Sequence, residues 1–348
     1  MRVLITGAAG FIGMHLSAAL MHRGHQVVGF DNLSGITYDR ELKLARLRNL
    51  GLEISEATMQ RLSAGEALQK EGFTFYQQDL CDREKLQALV SQGNFEVVVN
   101  LAALAGVRLS TEIPEQYVQS NFQGFFNLLE VLKSQPVEQR SRLVFASSSS
   151  VYGDCKVVPF AESNTDIKPK SVYAATKQMD ETIAYAYASL FKIDAIGLRF
   201  FTVYGPYGRP DMAPFIFLKS FLEGKEITLF NEGKSRRDFT YVGDIVEGVV
   251  KVIEGPDQSA KAVPFDVFNI GNGSPVGLFD FVHTLEEISG KKAQIKLAGM
   301  PKGDVEQTYA DVTKLKQVYG YQPHTNLREG LQHFYDWYCA FYKPQAQA

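Results

Sequence analysis

Arg2-Val-Leu-Ile-Thr6-Gly7-Ala-Ala-Gly10-Phe-Ile-Gly13 opens the chain, and the order of its residue types decides the fold. An apolar run of strand length passes into three glycines and then into a helical pattern that reaches Arg23. In that arrangement Gly7 permits a tight turn, Gly10 lets the backbone approach a pyrophosphate, and Gly13 lets the helix lie close to a sheet. The helix N-terminus meanwhile presents free N–H groups to the anion. The acid that such a unit needs about twenty residues on is present: Gln26-Val-Val-Gly-Phe30 reads as a second strand and ends in Asp31. Three glycines alone would fit an ordinary turn; strand, helix and acid together read as a dinucleotide site.

Outward from this unit, Phe73-Thr-Phe-Tyr76, Val97-Val-Val-Asn-Leu101, Arg142-Leu-Val-Phe-Ala146 and Ala195-Ile-Gly-Leu-Arg199 alternate with helical stretches. This is the pattern of a Rossmann-type, doubly wound parallel α/β sheet. Ligands of such sheets bind outside the carboxyl ends of the strands, where the glycine turn, Asn100–Ala103, Ser147–Ser150 and Phe200–Thr202 all fall. A carboxylate at Asp31 accepts hydrogen bonds from a ribose diol and repels a 2′-phosphate, which predicts NAD over NADP; Asp79-Leu80 would flank the adenine. Beyond Thr202, Tyr204-Gly-Pro-Tyr-Gly-Arg-Pro210 marks a loop and a smaller mixed region follows, into which Phe265–Ile270 inserts one more strand of the main sheet. Residues 1–200 are therefore expected to form the dinucleotide-binding domain, with 239–270 returning to it. An interleaved C-terminal α/β substrate-binding domain takes 201–348, mainly 201–238 and 271–348. The segment Tyr38–Gly72 is long for one crossover, and its leucines only partly follow helical spacing; one or two amphipathic helices without chemistry are expected there. Only Pro344–Ala348 reads as a frayed tail.

Composition narrows the class. The 348 residues are 22% charged and 45% hydrophobic with a formal net charge of −3, which gives no electrostatic reason to expect nucleic acid or a membrane as partner. Cys81, Cys155 and Cys339 form no ligand spacing and the six histidines are scattered, so no metal is expected and the thiols read as reduced. No apolar run has the length of a membrane span and the chain starts directly on its first strand, so a cytoplasmic location is expected.

Chemistry concentrates further along, where Ala146-Ser-Ser-Ser-Ser150 is followed by Tyr173-Ala-Ala-Thr-Lys177. Four residues apart on a helix, Tyr173 and Lys177 share one face, so the ammonium can sit beside the phenol. A nearby positive charge favours the phenolate, a general base for an alcohol proton. A packed Tyr with a solvated Lys is the bland alternative, and the dinucleotide unit is what argues against it.

Taken together these motifs resemble the extended short-chain dehydrogenase/reductase family, within the NAD-dependent nucleotide-sugar epimerases and dehydratases. The resemblance covers nearly the whole chain. It includes Leu101-Ala-Ala, Ala105-Gly-Val-Arg108, Asn121, Leu128-Leu-Glu130, Arg237-Asp-Phe-Thr-Tyr241, Asn269-Ile-Gly271, Gly303-Asp-Val305 and Ala310-Asp311. Among subfamilies, Phe200-Phe-Thr-Val-Tyr-Gly-Pro206 followed by Gly208-Arg-Pro-Asp-Met-Ala213 is most similar to the UDP-glucuronate 4-epimerases. The resemblance implies that Tyr173 is the base, that Ser148 hydrogen-bonds the sugar oxygen, and that Lys177 binds the nicotinamide ribose. It implies an NAD contact set of Gly7, Gly10, Phe11, Ile12, Gly13, Asp31, Asn32, Asp79, Leu80, Leu101, Ala102, Ala103 and Lys177. The reaction implied is oxidation at C4 of a UDP-sugar, rotation of the 4-keto sugar and reduction on its other face.

Ser149 and Ser150 bear on the substrate. Related 4,6-dehydratases carry Asp-Glu at these two places and UDP-glucuronate decarboxylases carry Glu at the second, whereas both are hydroxyls here. Hydroxyls leave room for a substrate carboxylate, and Thr202 and Arg209 match further family positions on that side. The rival is that the serines only satisfy backbone groups at a strand end. Arg237 is the candidate for the pyrophosphate, Asp304 for the uridine ribose and Arg108 for a clamp on the substrate; Gly303-Asp304 is also an ordinary turn, and Arg108 also fits an idle exposed arginine. Asn100, Gly243 and Pro301-Lys302 depart from the family pattern. A neutral UDP-hexose or UDP-N-acetylhexosamine 4-epimerase, a UDP-sugar lyase and a non-catalytic NAD sensor remain open. Relatives pair through two helices each, which implies a homodimer through Tyr117–Leu132 and Tyr173–Leu190.

Overall fold

The computed structural model describes residues 1–300 and 305–343. Eight strands form its main sheet: β1 (Arg2–Thr6), β2 (Gln26–Asp31), β3 (Leu68–Lys70), β4 (Phe73–Gln77), β5 (Val97–Asn100), β6 (Arg142–Ser148), β7 (Ala195–Phe200) and β8 (Phe265–Ile270). Their order is β8-β7-β6-β5-β1-β2-β4-β3, with every pair parallel except the short antiparallel edge β3–β4. From β1 the chain winds first toward β2 and β4 and then back through β5, β6 and β7. The direction reverses beside β1, and a crevice opens there at the carboxyl ends.

The central strands β1, β2 and β5 to β7 are buried at nearly every position because both faces are covered. Val3, Ile5, Val97, Val99 and Val144 join a core with helices Phe11–His22 and Val242–Glu254. The alternate residues Leu4, Val98, Leu143 and Phe145 join a second core with helices Arg83–Gly93, Gly124–Ser134 and Val172–Phe191. Each such buried Val or Leu contributes about 1.5–3 kcal/mol, and the period of two fixes the register against slippage.

A third core lies beyond β7, where helices Ala213–Leu222, Leu278–Ser289 and Leu327–Tyr342 pack with a parallel pair, Glu226–Leu229 and Gln294–Leu297. Thr202–Tyr204 pairs with Phe239–Tyr241 and stitches this region to the main sheet, to which β8 returns beside β7.

Between β2 and β4 the chain makes two helices, Arg40–Asn49 and Glu56–Ser63, and then β3, a strand the hydrophobic pattern does not reveal. Asp39 caps the first helix and Ser55 with Thr58 forms a capping box on the second. The apolar period is broken because a core-facing position is Arg46, which is fully buried. Its guanidinium is satisfied by the carbonyls of Tyr207 (2.8 and 3.2 Å) and Ala9 (3.2 Å) and by the Tyr38 hydroxyl (2.6 Å). A buried cation is tolerable only with such a full set of acceptors. No helix among the described residues is long and apolar enough to cross a membrane.

Candidate active site

Thr6, the last residue of β1, sets the floor of the crevice. Its hydroxyl donates to Asn100 Oδ1 at 2.6 Å and accepts from Ala102 N at 3.0 Å, which draws the loop after β5 against the glycine turn. Gly7 makes this approach possible: at φ +71° it is in the left-handed region, and a Cβ there would lie 2.8 Å from Ala102 N. At Gly13 a Cβ would lie 2.2 Å from the Gly7 carbonyl, so only glycine lets the helix start against the turn. Helix Phe11–His22 has Gly10 as its N-cap and no side-chain cap, which leaves its first N–H groups to a ligand. These bare backbone donors at the mouth of a long cleft fit a dinucleotide pyrophosphate.

One end of the cleft is lined by Asp31, Asn32, Asp79 and Leu80. Asn32 Nδ2 donates to Asp79 Oδ2 at 2.8 Å, and Asp31 Oδ1 accepts from Leu33 N and from Lys43 Nζ, at 2.8 and 2.9 Å. Here the expectation that Tyr38–Gly72 carries no chemistry is corrected, because Tyr38 and Lys43 line the cleft and Lys43 holds the key carboxylate. The hydrophobic pattern missed them because it finds the buried face of a helix, not the face that looks across a gap. The one available signal was position: Lys43 lies in the first helix after β2, close in sequence to Asp31.

The other end is built from β6, β7 and helix Val172–Phe191. β6 runs two residues further than its apolar core suggests and ends at Ser148, after which Ser149–Tyr152 forms a 3-10 turn. Ser148 Oγ accepts from Ser150 N at 3.1 Å and lies 3.1 Å from Ser150 Oγ, so part of the serine run does satisfy the strand end. Ser171 caps the long helix by accepting from Ala174 N, and Tyr173 and Lys177 follow in its first two turns, both facing the cleft. The Tyr173 ring stands edge-on to Tyr117, 6.3 Å between centroids. Burial pushes the Tyr117 phenol up to about 12, so it stays protonated and donates to Ala105 O at 3.0 Å. Lys177 Nζ donates to Asp180 Oδ2 at 3.1 Å, a buried pair that the sequence reading did not single out although its spacing is helical.

Ser148, Ser149, Ser150, Thr202 and Arg209 share this end. Arg209 forms a bidentate pair with Asp211 (2.5 and 3.1 Å) and donates to Ala105 O at 3.0 Å. The carboxylates lining the whole cleft, among the described residues, are Asp31 and Asp79, both at the far end. Glu181 and Asp180 lie behind the wall. Glu181 is locked by Arg199 (2.7 and 2.8 Å) and by Ser147 (2.5 Å), and Asp180 by Lys177.

All the NAD contact positions expected from sequence, Gly7 through Ala103 and Lys177, lie along the cleft. Two substrate candidates do not. Arg108 is exposed at the start of the turn Leu109–Glu112 with its guanidinium 4.8 Å over the Phe230 ring, and Arg237 donates to the carbonyls of Arg236 and Glu306, both at 3.0 Å. Long side chains reach the nearest acceptor or ring, and sequence spacing does not say which one that is. Asp304 lies outside the described residues, as do Pro301-Lys302 and the tail Pro344–Ala348. Ser34, Thr37, Gln78, Val203 and Met212 also line the cleft without having been foreseen.

The sequence pattern of the NAD-dependent epimerase/dehydratase family matches residues 3–271. Protein CapI of Staphylococcus aureus is 41% identical, the match covering 99% of this chain and all of that protein. UDP-glucuronate 4-epimerase 4 of Arabidopsis thaliana is 43% identical over 99% of this chain and 77% of its own length. Among solved structures, UDP-glucuronic acid 4-epimerase from Bacillus cereus in complex with UDP-glucuronic acid and NAD superposes with a TM-score of 0.83. It is 35% identical, with 97% of this chain and 98% of that one covered. With its parallel sheet, its glycine turn and these matches, the chain belongs to the NAD-dependent epimerase/dehydratase family, and NAD is its cofactor.

Proposed function

We propose that this protein interconverts UDP-glucuronate and UDP-galacturonate by inverting the sugar's C4. The observation that carries the reading is the sugar end of the cleft, where a phenol and an ammonium face three serines and a threonine, and no lining carboxylate among the described residues stands near them. Relatives named for this activity support it.

The chain's own groups divide the work. Gly7, Gly10, Phe11, Ile12 and Gly13 would hold the pyrophosphate, and Asp31 keeps Oδ2 for the adenosine ribose while Lys43 and Leu33 N occupy Oδ1. Asn32, Asp79 and Leu80 would enclose the adenine, and Leu101, Ala102 and Ala103 would cover the middle of the dinucleotide. Bound there, NAD supplies a reversible hydride acceptor for C4. Tyr173 takes the 4-hydroxyl proton on its phenolate oxygen and later returns it, Ser148 hydrogen-bonds the same sugar oxygen, and Lys177 steadies the phenolate and the nicotinamide ribose.

Ser149, Ser150 and Thr202 would hold the C6 carboxylate, with Arg209 on the same side. At the ketone stage this carboxylate is β to a carbonyl, and it leaves as CO2 when its bond to C5 stands perpendicular to the ketone plane. Fixing it away from that angle retains it. With hydroxyls at Ser149 and Ser150 rather than acids, those two positions also offer no general acid for an elimination. Arg237, Arg108 and Asp304 stay in the reading as groups for the nucleotide and the outer substrate.

The reading divides the chain at about residue 200 into a dinucleotide-binding part, completed by 239–270, and a sugar-nucleotide part. It carries a homodimer as well, supported by exposed Val118, Met179, Tyr185 and Leu190 on the helical segments around residues 118 and 172–191. It places the enzyme in the cytoplasm, where it would supply polysaccharide biosynthesis. Incubation of the purified protein with UDP-glucuronate, without added NAD, should yield the galacto epimer with no net NADH and no CO2. Release of CO2, or faster turnover of UDP-glucose, would replace this reading by a lyase or a neutral-sugar epimerase.

A further inference from the structure

Asp180 is a buried acid for which the mechanism above has no use. It follows Lys177 by three residues on helix Val172–Phe191, and the two side chains are 1% and 2% exposed. Oδ2 accepts from Lys177 Nζ at 3.1 Å, whereas Oδ1 is buried without a hydrogen-bond partner among the described residues. Lys177 lines the cleft and Asp180 does not, so the carboxylate grips the ammonium from behind. The two charges act on the Tyr173 phenol with opposite sign and from nearly the same direction, and each partly cancels the other.

We infer that Asp180 is a positioning residue that seats the Lys177 ammonium in the back wall of the cleft and, when ionised, weakens its pull on the Tyr173 proton. This rests on the reading of Tyr173 as base and Lys177 as its partner. Burial pushes the Asp180 carboxyl up to about 7, with Lys177 opposing the rise and Glu181 adding to it, so the damping itself comes and goes near neutral pH.

The surrounding charges are otherwise engaged. Glu181 is matched by Arg199 of β7 and bonded by Ser147 of β6, whose Arg142 pairs with Asp194. Asp266 of β8 is held by Lys261 and Lys314, and Glu130 and Lys133 of helix Gly124–Ser134 pair with each other. Tyr152 donates to Asn269, Tyr117 faces Tyr173, and Glu112 and Glu115 are exposed. The segment Val118–Gln123 has no ionisable side chain.

The test compares the NAD-bound protein with Asp180→Asn in two ways: the pH profile of kcat, and the ultraviolet phenolate absorbance that disappears on adding Tyr173→Phe. The acidic limb should move down by about one pH unit, with several-fold more Tyr173 phenolate at neutral pH. In a Lys177→Met background, where nothing opposes the effect of burial and the Asp180 carboxyl stays protonated at neutral pH, the same substitution should leave the phenolate signal at neutral pH unchanged. An unmoved or upward-moving limb overturns the inference, and so does an equal shift without Lys177. Asp180→Ser, which leaves room for water, replaces the Asn variant if that is not recovered folded. If Tyr173→Phe keeps turnover, the base assignment fails and this inference with it; if turnover is lost but Asp180→Asn has no effect, only this inference fails.

Discussion

The two ends of the cleft are made of different material. At the end proposed for the pyrophosphate, the site is made by what is missing: Gly7 and Gly13 carry no side chain, so backbone segments come within 3 Å of where a Cβ would stand, and the uncapped helix keeps its N–H groups open. At the end proposed for the sugar, the lining is hydroxyl, phenol and ammonium groups delivered by β6, the long helix and the segment after β7. A backbone site is compact in sequence and tolerates little change. A side-chain site is spread from Ser148 to Arg209, and one residue can be swapped in it without moving the rest.

That contrast can be broken most sharply at the sugar end. Tyr173→Phe should lower kcat by about 10²–10⁴-fold, the range for a lost general base, while NAD content measured after denaturation stays that of the parent. Loss of NAD would mean that the two ends are not separable. Replacing Ser149 and Ser150 together by Ala would remove the hydrogen bonds proposed to the substrate carboxylate, each worth about 1.5–3 kcal/mol. Their loss should cut kcat/KM for UDP-glucuronate by at least tenfold and spare UDP-glucose; equal losses on both sugars would return the serines to a purely structural role.

At the backbone end, Gly13→Ala forces a methyl group toward the Gly7 carbonyl. A destabilisation of about 1–3 kcal/mol is expected, with NAD missing from the purified protein as read by its absorbance. The smallest effect concerns the joint between the ends. His15, on the glycine-turn helix, donates through Nε2 to Pro206 O at 2.9 Å, and burial, with Arg46 repelling in addition, holds its folded-state pKa below the usual histidine value against the opposing Pro206 bond. A depressed histidine pKa means that the unfolded chain binds the proton more readily. Its contribution to stability is therefore complete above about pH 6.5 and is lost as the pH falls toward the folded value. Melting temperature should fall less on acidification in His15→Gln than in the parent; parallel curves would remove His15 from the pH response.

Legibility followed the same division. The strands β1, β2 and β5 to β7, the glycine turn and the Tyr173/Lys177 spacing are short-range patterns, and a period of two or of about 3.6 residues writes them directly into the chain. β3 was invisible because three residues at an edge carry too little pattern, whereas the two helices of the same segment were expected even though Arg46 at a core position breaks the leucine spacing of the first. Arg108 and Arg237 were read by motif alone, and flexible side chains went to Phe230 and to main-chain carbonyls instead of the cleft lining.

Sequence alone determined the doubly wound sheet, the glycine turn at its crevice and the Tyr173/Lys177 spacing on one helix face, because each rests on residues within a few positions of one another. Only the tertiary structure decided that Lys43 grips Asp31, that Arg46 ties the glycine turn to the Tyr207 loop, and that Asp180 stands behind Lys177 rather than in the open. These are contacts of buried charge. Whether a charge in the interior finds its partner depends on how separate segments pack, and no local pattern encodes that.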